Sequence, residues 1–283
     1  MQLLGYHLVP LSLVVIYPIT FLTTYVLSRY YKHTPALPYI SDTGVETPES
    51  CIFTFALSVA GSCLYIYINY KIIKSTLKSL KIINKIAAAL GLTSSIGLVV
   101  VGSFQVSNVI LCHVIGAAMT FLGGPIYMLI ITYLYHSTNK SHNVNIHSKG
   151  LMAFRIALSS LMTCVLIWGF IATKQAWEYF DGDTMYSPFM WKETSNGIKW
   201  HTASVILEWI TFIIYVCYIA STIPLYYNVD SLKTTMVMKH QLDYKSQNAQ
   251  KSQIKDNVHI NIDADFANYE NISQNKDLYS SEK

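Results

Sequence analysis

Charged residues are scarce in this chain. They make up 13% of its 283 residues, where a soluble domain carries about a quarter. The few acids are also unevenly placed: of 16, eight lie beyond residue 225, seven lie in short polar gaps, and Glu208 alone sits inside an apolar run. Such a distribution excludes an ordinary water-soluble core. Basic residues never cluster with interleaved aromatics, which excludes the footprint of a nucleic-acid binder. Five cysteines form no CxxC and no metal-ligand spacing. GxSxG, HExxH, a phosphate loop and a dinucleotide fingerprint are all absent, so the sequence offers no catalytic residue, no cofactor and no metal site. No internal repeat of the kind found in inverted-repeat transporters is visible.

Long apolar runs dominate instead. A helix needs about 20 apolar residues to cross the hydrocarbon layer, and six runs qualify: residues 8–28, 51–70, 86–104, 114–134, 151–173 and 202–222. Backbone groups in lipid must bond internally, so each run is predicted to be helical. The fold class is therefore an all-α integral membrane protein: a six-transmembrane-helix bundle over residues 1–225, with a disordered C-terminal tail over 226–283 on the cytosolic side. The tail is rich in Asn, Ser, Gln and Lys and poor in large apolar groups, too little to offset chain entropy.

Basic residues orient the bundle. Loop 71–85 carries Lys71, Lys74, Lys78, Lys81 and Lys85, and loop 135–150 carries Lys140 and Lys149. The positive-inside tendency then predicts both termini in the cytosol, with loops 29–50, 105–113 and 174–201 facing a lumen or the exterior. The sequons at Asn139 and Asn271 should accordingly carry no glycan. The lysine run also suits contact with anionic membrane lipids.

Four ionisable residues belong to the spans: Arg155 and Glu208 inside the apolar runs, His113 and His201 at their lumenal ends. A carboxylate in a span faces protein or a wet cavity. By depth, Arg155 stands about 15 Å from Glu208, too far for contact, whereas His113 and His201 lie at the same end. Two readings follow for Glu208: a proton-sensing or ion-binding cluster with the two histidines, or a carboxyl that fixes helix packing. Small residues at Ala87, Gly91 and Ser95, and at Gly116, Thr120 and Gly124, form ladders suited to close helix packing. Cys51 and Cys112 both lie at the lumenal end and form a candidate disulfide.

The stretch PYISDTGVETPES, residues 38–50, interrupts the apolar chain. Asp42-Thr43-Gly44 reads as a turn, with Gly44 tolerating positive φ. Thr47 is placed to cap the second helix, Pro48 to open it, and Glu49 and Ser50 to continue its first turn. Nothing in capping logic requires Pro38, Tyr39, Ile40 and Ser41.

PYISDTG followed by PES resembles the first-loop signature of the DRAM family, the damage-regulated autophagy modulators. GSFQ from Gly102, HVIGAAMTF from His113, GPIY from Gly124, Arg155 near the start of span five and HTASVILEW from His201 extend the likeness. The resemblance implies six spans, residence in lysosomal or late endosomal membranes, and a role in promoting autophagy through partners, with no established catalysis. The wider superfamily suggests an alternative: a plasma-membrane scaffold regulating a phosphatidylinositol 4-kinase. A proton-linked transporter or channel built on Glu208 is another, and a lipid-remodelling enzyme a third. In the tail, Tyr269 to Ile272 (YENI) resembles both a tyrosine sorting signal and the short motif that binds autophagy ubiquitin-like proteins. Expected partners are thus membrane lipids, with sorting adaptors or autophagy proteins on the tail, and no nucleic acid.

Overall fold

The computed structural model describes residues 5–59, 62–77, 79–142, 149–181 and 187–227. The tail beyond Tyr227, with Tyr269 and Ile272, lies outside the described residues.

Among the described residues, seven α-helical segments supply six spans: α1 (Leu8–Tyr30), α2 (Glu49–Val59), α3 (Ser62–Thr76), α4 (Lys81–Ser103), α5 (Ile110–His142), α6 (Lys149–Tyr179) and α7 (Ile198–Tyr227). The span Glu49–Ser75 takes in both α2 and α3. All six are long and apolar enough to cross a membrane, and the chain is a multi-pass membrane protein. The helices outrun the apolar runs, because a helix continues past the hydrocarbon edge wherever its side chains can reach water. This redraws the lysine-rich connection. Lys71 and Lys74 belong to α3, and Lys81 and Lys85 to the first turns of α4. All four are exposed, and the Lys71 and Lys74 ammonium groups lie over the Tyr67 and Tyr70 rings at 5.8 and 5.7 Å.

Small residues set the closest packing. A Cβ added at Gly97 would stand 2.6 Å from the Gly116 carbonyl, and one at Gly123 would stand 2.9 Å from the Leu90 carbonyl. Ser94 and Thr120 exchange hydroxyl-to-carbonyl bonds across the same seam, at 3.2 and 3.3 Å. Gly116 and Thr120 of the α5 ladder thus face α4 within one bundle, but α4 meets them with Ser94 and Gly97, while Gly91 of the expected α4 ladder packs against Tyr127. On the other side of α5, Met128 packs with Leu158 and Met162 of α6 and with Ile214 and Tyr218 of α7. Phe212 of α7 meets Phe21 of α1 edge-on at 4.8 Å. Helix α7 is therefore covered by several others.

All five cysteines are free thiols, so the pairing of Cys51 with Cys112 is not formed. Cys51 is exposed on the outside of α2, away from any partner sulfur.

Candidate functional site: the docked first loop and its cavity

The connection from α1 to α2 does not stand off the bundle. It is tied down along its length. Tyr25 donates to the Ala36 carbonyl (2.9 Å) and Arg29 Nη1 to the Thr34 carbonyl (2.5 Å), while the Ser28 and Thr34 hydroxyls bond at 3.0 Å. His33 Nδ1 lies 3.0 Å from Glu49 Oε1, and Glu49 is fully buried. The first-turn acid of α2 is thus a buried partner of the loop, beyond any favourable interaction with the helix dipole.

The tetrad that capping left unexplained docks onto α7. The Pro38 carbonyl accepts from Trp209 Nε1 at 3.0 Å. The Tyr39 hydroxyl bonds the Ser204 hydroxyl. The Ile40 amide donates to Glu208 Oε2 at 3.1 Å, and the Ser41 amide bonds the same carboxylate. Residues Ser41–Gly44 then form one 3-10 turn, whose cap residue Ile40 has no side-chain cap of its own. The first amides of such a turn lack acceptors within it. Glu208, 168 positions away, supplies the missing acceptor. A carboxylate that is costly inside a span thereby finds fixed backbone donors, and irregular backbone inside the bundle finds its acceptor. This arrangement gives Glu208 a packing role, holding the first loop on α7.

Two further residues explain themselves here. Thr43 is fully buried and bonds Thr24 of α1 at 2.8 Å. Gly44 is needed for space and not for positive φ, which among the described glycines belongs to Gly197 alone. A Cβ on Gly44 would stand 2.7 Å from Phe53 Cγ. At the start of α2, Pro48 precedes the first helical residue, and its carbonyl accepts from the Ile52 amide at 3.4 Å. Ser50 is buried beside Glu49.

Below the docked loop lies a cleft of about 450 Å³ between α5, α6 and α7, and a second cavity of about 150 Å³ deeper in the bundle. Ser41, His113 and Glu208 line both. His201 joins them in the larger. The structure thus brings the two histidines and Glu208 to one cavity, but each has its own partners. His113 Nδ1 is 2.8 Å from the Phe104 carbonyl, and His201 stacks on Trp191 at 4.5 Å. Tyr39 meets His201 edge-on at 5.2 Å. Among the described residues, no group of three His, Cys, Asp or Glu side chains is placed to hold a metal ion.

Arg155 is elsewhere. It is fully buried in α6, with Nε 3.0 Å from the Ser221 hydroxyl and Nη2 2.5 Å from the Ser221 carbonyl. Its guanidinium lies over the Tyr135 ring at 5.6 Å. Ser221 and Glu208 are 13 residues apart on α7, about 20 Å along the helix, so Arg155 and Glu208 do not meet.

Residues 5–224 match the model of the Frag1/DRAM/Sfk1/Cwh43P N-terminal domain, that is, the whole bundle. The chain belongs to this family. Within it, the chain is similar to the rat DNA damage-regulated autophagy modulator protein 2, with 31% identity over 219 residues, covering 72% of this chain and 78% of the relative. It is likewise similar to the Xenopus laevis DNA damage-regulated autophagy modulator protein 1, 31% over 214 residues, covering 72% and 84%. The zebrafish modulator of macroautophagy TMEM150B is 30% identical over 138 residues, 47% of this chain and 56% of that one. No solved structure matches.

Reading residues alone missed Trp209, Ser204, His33, Tyr25 and Trp191 as parts of this family member's loop dock. One signal was available. His201, Ser204 and Glu208 are spaced by three and four, so they share one helix face.

Proposed function

We propose that the protein is a lysosomal or late endosomal multi-pass modulator of autophagy that acts through partners and not by catalysis. The observation that carries this reading is its family membership: its relatives are named as autophagy modulators, and the match spans the bundle. The site is consistent with it. Polar groups around Glu208 are engaged in holding the first loop.

In this reading both termini face the cytosol, which puts the lysines of α3 and α4 on the cytosolic side and the docked first loop on the lumenal side. The tail motif from Tyr269 to Ile272 then reaches cytosolic sorting adaptors or autophagy proteins. The full-length chain, tagged and imaged with lysosomal and plasma-membrane markers, should follow the lysosomal marker, and its deletion should change the rate of autophagic turnover. Confinement to the plasma membrane, with turnover unchanged, would overturn the proposal and favour a phosphoinositide-kinase scaffold.

A further inference from the structure

The cleft below the first loop has the build of a ligand site. Its volume of about 450 Å³ falls in the ~300–1,000 Å³ range of pockets that enclose small molecules. Its walls are apolar over most of their extent, with Val114 and Phe121 of α5, Leu166 and Phe170 of α6, and Leu207 of α7. Polar groups gather at one end, where Ser41, Ser204 and Glu208 meet under the docked loop. At the rim, Ile110 (49%), Val114 (54%) and Phe170 (50%) are half-exposed on membrane-spanning helices, so the mouth faces lipid. An occupant therefore enters from the bilayer.

The lining restricts what that occupant is. It includes no lysine or arginine, and its one carboxylate is Glu208. His113 and His201 also line it but are engaged with the Phe104 carbonyl and the Trp191 ring, so an anionic phosphate head would meet Glu208 with no fixed cation beside it. Glu208 holds the Ile40 and Ser41 amides but has lone pairs to spare, since a carboxylate offers about four acceptor positions. The group that fits is a compact uncharged donor, a hydroxyl, on an apolar body.

We propose that this cleft binds an uncharged, hydroxyl-headed membrane lipid of sterol type, its hydroxyl donating to Glu208 and its ring body lying between α5 and α6. The occupant shares the carboxylate with the first loop, so binding and loop docking are coupled.

Gly169 provides the test. It lines the cleft, and a Cβ added there has Leu207 Cβ as its nearest neighbour at 3.9 Å, so a larger side chain grows into the cleft without a clash at its root. The full-length protein in phosphatidylcholine nanodiscs would be irradiated with a diazirine-bearing cholesterol, and the labelled residues mapped by mass spectrometry. Labelling should concentrate on residues 110–121 and 165–177 and be competed by unlabelled cholesterol. It should fall at least fivefold in Gly169→Leu, and stay unchanged in Ile167→Ala, which alters an exposed residue outside the cleft. Wild-type thermal stability in Gly169→Leu would show that the cleft was filled and the bundle kept. Labelling spread over all lipid-facing helices and indifferent to Gly169→Leu would overturn the proposal. Equal labelling of the cleft by a diazirine-bearing phosphatidylcholine would overturn the assignment of an uncharged head.

Discussion

The two ends of the bundle each hold an ionisable side chain inside a span and settle it differently. At the first-loop end, Glu208 is held by backbone amides of a distant segment and stands in the wall of two cavities. At the end where α1 begins and α7 ends, Arg155 is held by Ser221 of the neighbouring helix among packed tyrosines. There Tyr65, Tyr135, Tyr218 and Tyr226 are all at most 2% exposed. Asn69 links Tyr127 and Tyr135. Tyr226 donates to the Tyr65 carbonyl at 3.1 Å, and Tyr218 to the Met128 carbonyl at the same distance. The difference teaches where the molecule is built to stay closed and where it has room. Arg155 joins helices that are already packed. Glu208 joins a loop to a helix across an open space, and that joint is the one a ligand or partner can influence.

The sharpest way to break the contrast is at the closed end. Arg155→Ala should cost about 3–5 kcal/mol, because it opens a cavity and leaves a buried acceptor without its donor. Thermal unfolding of the full-length protein in detergent should show this as a large drop in midpoint. A small drop would mean that the closed end is not the bundle's anchor.

His33→Ala comes next. It strands Glu49, which is fully buried and whose other oxygen, Oε2, has no hydrogen-bond partner among the described residues. The expected loss is about 1–3 kcal/mol, read by the same unfolding measurement, with His33→Asn recovering part of it by restoring a donor. Trp209→Phe keeps the ring and removes the donor to the Pro38 carbonyl. It should cost about 0.5–1.5 kcal/mol and leave the closed end untouched.

The smallest effect concerns pH. Burial pushes the Tyr39 phenol up from 10.0 to about 12, and the hydrogen bond from Ser204 only partly counters it. The folded state thus favours the neutral phenol. This contribution is complete below pH 10 and is lost as pH rises from 10 towards 12. Loop protection should be flat with respect to Tyr39 between pH 5 and 9, and the loosening above pH 10 should be weaker in Tyr39→Phe.

Much of the fold was legible in the residues, because about 20 apolar positions in a row have few structural outlets other than a span. The span ends were less so. Lys71, Lys74, Lys81 and Lys85 read as loop by polarity, yet helix geometry carries on through them. Glu208 was legible as an anomaly, and its distance from Arg155 followed from depth alone. Its partner was not legible, because backbone amides leave no mark in a sequence and the loop lies 168 positions away. Gly44 was legible as special for the wrong reason: turn residues suggest a backbone need, while the packing of Phe53 against it is a tertiary fact. Pro38 to Ser41 resisted local rules because their role is to meet α7.

The central claim is that Glu208 latches the first loop to the last helix. Hydrogen exchange on the full-length protein in nanodiscs, comparing wild type with Glu208→Ala, tests it most directly. Leaving the Ile40 amide without its acceptor corresponds to about 1–3 kcal/mol, so exchange over residues 39–44 should accelerate roughly 5- to 100-fold. Residues 218–226 of α7, packed around Arg155 and the tyrosines, should keep their wild-type rates. Unchanged exchange over 39–44, or an equal rise at both ends of the bundle, would contradict the account.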